Sequence, residues 1–295
     1  MSSEFSICDH PQPMDTQQRE RYFLNQPRRV PLGYEEYAGD RQFATTLARG
    51  LELLRCFSAT DTMLSNGELA ERTGLPRPTI SRLTYTLVIL GYLRPSPKYG
   101  KYQLGTALIS ATYPLMASIA LRQQARPLMN ALADETGGDV SMGLRDRLNI
   151  VLVETSRSRS RLRASGALAD TGLALPIAGS AIGRAYLGGC DAATREALLN
   201  EIRVKTPEDW ARFEAPIRQA LLEVSRQGFC AVDGDLVQRI QAVGVPYGPT
   251  AHGEFVVFNC AFAPPPGGET SRAWIREEVG PRLLEMVRQL RERGA

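Results

Sequence analysis

The sequence predicts an α+β protein built in two parts: three helices and a small hairpin first, then a linker helix and a larger domain around a mostly antiparallel sheet. Three observations predict it. At 295 residues the chain is long enough for two cores, taking about 150 residues for each. Apolar residues recur at helical spacing up to about residue 136, and from Asp139 short strand-like runs alternate with helical ones. Between Glu71 and Asp134 there is no acidic residue, while Arg72, Arg77, Arg82, Arg94, Lys98, Lys101, Arg122 and Arg126 all fall there, in a chain of net charge +3. Such a stretch is either a polyanion-facing surface or chance enrichment in an arginine-rich protein.

Hydrophobic residues at 43% and charged residues at 23% exclude a disordered, collagen-like or coiled-coil chain. No uninterrupted apolar run reaches about 18 residues, and the first residues lack the basic start and apolar stretch of a secretory signal. A cytoplasmic protein with no membrane partner is expected.

Residues 1–40 follow neither a 3.6 nor a 2.0 period and are expected to be a mobile extension. Residues 41–105 hold the first domain. Phe43, Leu47, Leu51, Leu54 and Phe57 describe one helix face. Ser65 and Glu68 form a capping box, so a short helix starts near Asn66 and ends near Gly74. Pro78 suits a first helical turn, which starts the next helix between Arg77 and Thr79 and carries it to about Leu90, with Gly91 as its cap. Tyr92–Arg94 and Lys101–Leu104 then read as strands around a Pro-Ser-Pro-Lys-Tyr-Gly turn.

Helix, helix, helix, basic hairpin is the order of a winged helix-turn-helix. Ala70, Gly74, Leu75, Ile80 and Leu83 supply the small residue, the turn and the inner apolar face that two crossing helices need. Arg77, Thr79, Ser81, Arg82 and Tyr85 are left facing outward, with Lys98 and Lys101 on the hairpin. Arginine pairs with guanine edges or phosphates, and Ser or Thr bonds either, so this is a candidate face for double-stranded DNA. The alternative is an ordinary helical hairpin with a polar outer face.

Residues 106–121 read as a linker helix interrupted by Pro114, and residues 122–295 as the second domain. Strands are expected at 139–144, 148–154, 229–232, 240–245 and 255–262. Helices are expected at 122–136, 181–188, 194–202 and 208–227, with one long helix at 271–293. Small residues from Pro176 to Ala185 open a helix, and the free N–H groups beside Gly179, Ser180 and Ala181 suit a carboxylate; tight packing through Gly183 and Ala185 is the equal alternative. The apolar strand 255–262 carries a single amide, Asn259, whose partners are either protein groups or a polar ligand. Val257 and Ala261 share its strand face. Ser156–Arg163 reads S-R-S-R-S-R-L-R, either a solvated edge or, with Arg157, Arg159, Arg161 and Arg163 on one face, an anion site.

Little in the sequence supports catalysis. The five cysteines are scattered, with no C-x-x-C pair, so neither a disulfide framework nor a zinc site is expected. His252 is the only plausible base for a Ser or Cys hydrolase, one rival reading, and there is no G-x-S-x-G elbow or phosphate loop. A second rival is a DNA-binding protein whose C-terminal domain binds no ligand and only assembles oligomers.

Several separated motifs occur together in order: Ala48-Arg49-Gly50-Leu51 with Leu54 and Phe57; Gly74-Leu75-Pro76 with Thr79, Arg82, Leu83, Leu87 and Gly91-Tyr92-Leu93; Tyr102-Gln103-Leu104-Gly105; and Gly179-Ser180-Ala181-Ile182-Gly183-Arg184-Ala185. On these the chain resembles the IclR family of bacterial transcription regulators, from about Phe43 to the C-terminal helix. The resemblance implies a winged helix joined by a helix to a GAF-like effector domain, without enzymatic activity or cofactor. It also implies a homodimer or homotetramer whose affinity for a DNA operator responds to a small molecule, often an aromatic or other organic acid. The effector positions it implies are Ser180, Ala181, Asn259 and Ala261, with Asp233 or Asp235 from the acidic segment. That segment departs from the family pattern: its carboxylates are fewer, Arg239 stands where glycine is common, and Ala242 stands where cysteine is common.

Overall fold

The computed structural model describes Tyr37 and residues 40–59, 61–158, 170–236, 240–251, 253–262 and 271–294. Most of the N-terminal extension, Cys8, Arg159, Arg161, Arg163, Arg239 and His252 lie outside the described residues. The chain divides after Leu115 into two compact units.

The first unit contains α1 (Thr45–Leu54), α2 (Asn66–Thr73), α3 (Arg77–Ile89), β1 (Leu93–Ser96) and β2 (Lys101–Leu104), and α4 (Ala107–Ser118) starts in it. Helix α2 starts where the capping box places it: the Ser65 hydroxyl accepts the Glu68 N–H at 3.3 Å, and Glu68 Oε2 accepts the Ser65 N–H at 2.7 Å. It ends at Gly74, whose φ of 69° is left-handed. Leu53, Leu69, Ile80, Leu83, Leu87 and Leu93 make the core. The first helix differs from its expected face. It stops at Leu54, so Phe57 lies beyond it, and it buries Gly50, Glu52 and Leu53 while Leu47 and Leu51 stay exposed. Beyond α3, the Gly105 N–H donates to the Tyr92 carbonyl at 2.7 Å, and a Cβ on Gly105 would overlap the Gly91 carbonyl oxygen.

The second unit holds α5 (Ala120–Thr136), β3 (Asp139–Asp146), β4 (Asn149–Arg157), β5 (Ala174–Pro176), α6 (Ala181–Gly189), α7 (Ala192–Lys205), α8 (Pro207–Gln227), β6 (Cys230–Asp233), β7 (Gln241–Pro249) and β8 (Phe255–Phe262). The strands form one antiparallel sheet in the order β5-β4-β3-β8-β7-β6. Because strand side chains alternate, its two faces carry separate clusters. Val140, Met142, Phe258 and Cys260 pack with Met129 of α5 and with Leu283, Val287 and Leu290. Ile150, Leu152 and Val257 pack with Ile182 of α6 and with Phe213 and Ile217 of α8. Two elements differ from expectation. Strand β5 is a three-residue pairing with too short a sequence signal to read. The C-terminal helix is divided into α9 (Arg272–Trp274), a π-helical turn (Ile275–Val279) and α10 (Gly280–Gly294). Pro281 lacks an N–H and crowds the carbonyl four residues back, which a wider π turn relieves.

Candidate nucleic-acid interface and ligand pocket

Helix α3 buries Ile80, Leu83, Thr84 and Leu87, which leaves Arg77, Ser81, Arg82 and Tyr85 exposed and Thr79 half-buried. Asn66, missed in the sequence, holds this helix against α2. Its Nδ2 donates to Ser81 Oγ at 3.4 Å, and its Oδ1 accepts from Thr84 Oγ1 at 3.2 Å. Nothing in the sequence around Asn66 distinguished it from any residue in a first helical turn.

The hairpin pairs Leu93 with Leu104 through Ser96 with Lys101, and Leu64 adds a short third pairing with Tyr102. Lys98 sits exposed at the turn, its ammonium 5.3 Å from the Tyr99 ring centre. Lys101 is placed differently from the sequence expectation. Its Nζ donates to Glu68 Oε1 at 2.8 Å, so it ties the wing to the start of α2 instead of standing free for a phosphate. This bond, followed by those from Ser65, holds the Glu68 carboxyl down to about 2. Arg94, also exposed, donates to Gln103 Oε1 at 2.8 Å.

In the second unit, α6 is capped by Ser180, whose hydroxyl accepts the Gly183 N–H at 3.1 Å and donates to the Pro176 carbonyl at 2.7 Å. The hydroxyl is thus engaged in both directions, and the groups left at this helix start are the first backbone N–H donors, the groups named in the sequence expectation. Tight packing is present as well, since a Cβ on Gly183 would overlap Ile177. The Ala181 carbonyl rests over Gly244 of β7 and accepts from Cys230 Sγ at 3.6 Å.

Ala181, Val232, Ala242 and Ala261 form a small buried apolar cluster under this helix start. The adjacent row of the sheet carries Asn259, opposite Gly244 on one side and Ser141 on the other. Asn259 is 4% exposed, and its Oδ1 has no donor among the described residues. Val257 lies on the same face, packed with Ile177 and Ile182. The structure separates Asp233 from this group. It stands opposite Gln241, one residue past the Val232–Ala242 pair, and alternation turns it to the other face.

Asp235 stays near the helix start, 2.5 Å from Nη1 of Arg184. Arg184 was not singled out from the sequence, although a cation in the apolar run Ala-Ile-Gly-Arg-Ala-Tyr-Leu was a usable signal. It is 2% exposed, its Nε donates to the Ala178 carbonyl at 2.8 Å, and its guanidinium lies 5.5 Å from the Phe213 ring centre. Its buried Nη2 has no acceptor among the described residues.

Cys56, Cys190, Cys230 and Cys260 are buried. Burial pushes the Cys56 thiol up to about 11 and Cys230 up to about 12, which keeps both protonated and poorly nucleophilic. Among the described residues no group of His, Cys, Asp and Glu is arranged to hold a metal ion, and no helix is long and apolar enough to cross a membrane.

Comparison with known proteins accounts for both units. The IclR helix-turn-helix domain matches residues 46–97 and the bacterial transcriptional regulator IclR C-terminal domain matches residues 114–250. The HTH-type transcriptional regulator TsaQ1/TsaQ2 of Comamonas testosteroni is 34% identical over 83% of this chain and 86% of its own. A crystal structure of an IclR family transcriptional regulator from Brucella abortus is 38% identical, covering 86% of this chain and 94% of that one, with a TM-score of 0.76. An IclR homologue from Microbacterium hydrocarbonoxydans, complexed with 4-hydroxybenzoate, shares the fold at 21% identity and a TM-score of 0.61, over 83% of this chain and 97% of that one. With the winged helix and the α+β unit in this order, and relatives that are regulators rather than enzymes, the chain belongs to the IclR family of DNA-binding transcriptional regulators.

Proposed function

We propose that this regulator reads its operator with α3 and the wing, and that a small organic acid of the aromatic class, bound in the second unit, modulates operator affinity. The observation that carries the effector is Asn259. A buried amide oxygen without a donor, beside the apolar cluster of Ala181, Val232, Ala242 and Ala261 and the free N–H groups of α6, suits a ligand with an apolar body and polar ends. Val232 and Ala242 keep the floor apolar. The 4-hydroxybenzoate bound by the Microbacterium hydrocarbonoxydans homologue has this chemistry. Asp235 and Arg184 border the site, with Val257 behind it.

The test is titration of 4-hydroxybenzoate and related acids against the full chain on its operator, in the wild type and in Asn259→Leu. Loss of the ligand response with unchanged DNA affinity in the absence of ligand supports the reading. A destabilised variant that still responds with unchanged affinity defeats it.

On the DNA side, Arg82→Ala is expected to cost specific binding about 1 to 3 kcal/mol if the guanidinium makes a bidentate base contact. Lys98→Ala should instead weaken binding to all sequences and lower the salt slope by about one. We also propose that the protein is a homo-oligomer. Helix α4 buries none of its residues, and Ile109 and Tyr113 on it are 70% and 71% exposed, an apolar surface that a second copy would cover. Two reading helices then imply half-sites about 34 Å apart or a multiple of it. Sedimentation as a monomer at micromolar concentration would contradict the assembly.

A further inference from the structure

A cavity of about 170 Å³ lies at the edge strand β6, on the side of the sheet to which Asp233 turns. Ile275 and Arg276 from the start of the π-helical turn line it, and π turns inside helices frequently mark functional sites. Its polar groups are ordered by pairing. Gln241 Nε2 donates to Asp233 Oδ1 at 2.7 Å, which fixes the amide's orientation and points Oε1 elsewhere. That oxygen is buried and has no donor among the described residues. The other oxygen of Asp233 pairs with Arg272, and Arg276 donates to Glu223 at 2.8 Å. Each guanidinium has five N–H donors, and these pairs use only part of them. Arg272 is 79% exposed at the mouth.

Gln241, which lines the cavity, thus carries a buried acceptor without a donor among the described residues, and the rim carries spare cationic donors. Two carboxylates and two guanidiniums balance one another, so a ligand of zero net charge leaves no uncompensated charge behind. We propose that this cavity is a second small-molecule site, distinct from the effector pocket, which binds a small zwitterionic amino acid. Its ammonium would donate to Gln241 Oε1, and its carboxylate would accept from Arg272 and Arg276. The volume, below that of drug-sized sites, limits the side chain to a few atoms.

The two tryptophans allow a local test. Trp274 adjoins the cavity through Ile275 and packs edge-on against Phe262 at 5.4 Å, whereas Trp210 packs with the cluster on the opposite face of the sheet. In the full chain carrying Trp210→Phe, L-alanine is titrated while Trp274 fluorescence is read, with L-lactate as the probe that replaces ammonium by hydroxyl. A saturable change with L-alanine is expected, weakened about tenfold or more by Gln241→Leu and by the exposed Arg272→Ala, and unaffected by Asn259→Leu. No saturable change overturns the site, as does unchanged affinity in both cavity variants whose melting curves show them folded. L-lactate binding as tightly as L-alanine overturns the zwitterion assignment. Because Asn259→Leu acts only on the effector pocket, failure here is distinguishable from failure of the effector reading.

Discussion

Gly244→Ala tests how closely the start of α6 is seated on the sheet. An alanine Cβ there would overlap the Ala181 carbonyl oxygen and stand 2.7 Å from its carbon and 3.0 Å from the Ala185 Cβ. Carbon atoms in contact normally sit about 3.5 to 4.0 Å apart, so the helix start must lift by roughly 1 Å. The nearest obstacles are backbone atoms, which have no rotamer to move into. Overpacking of this kind costs about 1 to 3 kcal/mol. The loss of glycine's freedom in the unfolded chain offsets about 0.4 to 1 kcal/mol of that, so net destabilisation prevails except at the lowest end. For a domain of this size about 2 to 4 °C accompanies each kcal/mol, which puts the fall in the melting temperature of the second unit at up to about 10 °C. Calorimetry of the full chain, with Trp210 fluorescence assigning the transition, reads it. A transition unchanged within about 1 °C, or raised, would refute the seating argument.

Gly50→Ala is expected to have the opposite sign. Gly50 lies inside α1, and its added Cβ meets only Leu83 at an ordinary 3.8 Å, so helix propensity should stabilise the first unit by roughly 0.5 to 1 kcal/mol, seen as a raised urea midpoint. Glu68 should shape the acid limb of stability. Its folded pKa of about 2 lies below its ordinary 4.5, so its contribution is complete above pH 4.5 and is lost as pH falls toward 2. Lys101→Met removes the largest cause of that depression and should flatten the limb, a change followed by circular dichroism between those pH values. Cys230, its thiol held up to about 12 by burial, should resist a thiol reagent at neutral pH and react only at the rate at which the second unit opens. Rapid labelling of native protein at this position would contradict its placement.

The first unit was legible because its signals are local. Ser65 and Glu68 name a helix start, Gly74 a stop, and Pro78 another start, and each works within four residues of itself. Packing decided the rest. Leu47 and Leu51 obey the helical period yet face outward, since the period marks a stripe without saying what covers it. Strand β8 was read with its observed ends, but the turning of Asp233 away from the Ala181 cluster was not legible, because neighbouring strand residues point oppositely and the register of β6 against β7 is not written in either strand. Ser180 was legible as a helix start, but the use of its hydroxyl as the cap was not, because a helix start that attracts a ligand and one that merely caps itself share the same residues. Lys101 looked like its neighbours in an acid-free stretch; only the fold brings Glu68, 33 positions earlier, against it.

The contact between Gly91 and Gly105 has a mechanical consequence. At this one point the end of α3, the base of the wing and the entry to α4 meet: Gly105 bonds to Tyr92 at 2.7 Å, the Ala107 N–H reaches the Gly91 carbonyl at 3.4 Å, Gly105 leaves no room for a Cβ, and Gly91 holds a left-handed φ of 77°. A joint so closely filled cannot flex like a loop. Twist applied along α4 therefore arrives at the reading helix instead of being absorbed on the way, and the two glycines serve as the elbow of a lever whose short arm is α3. Widening that elbow, for instance with Gly105→Ser, should uncouple the arm, leaving a reading helix that is intact and indifferent to whatever turns the shaft.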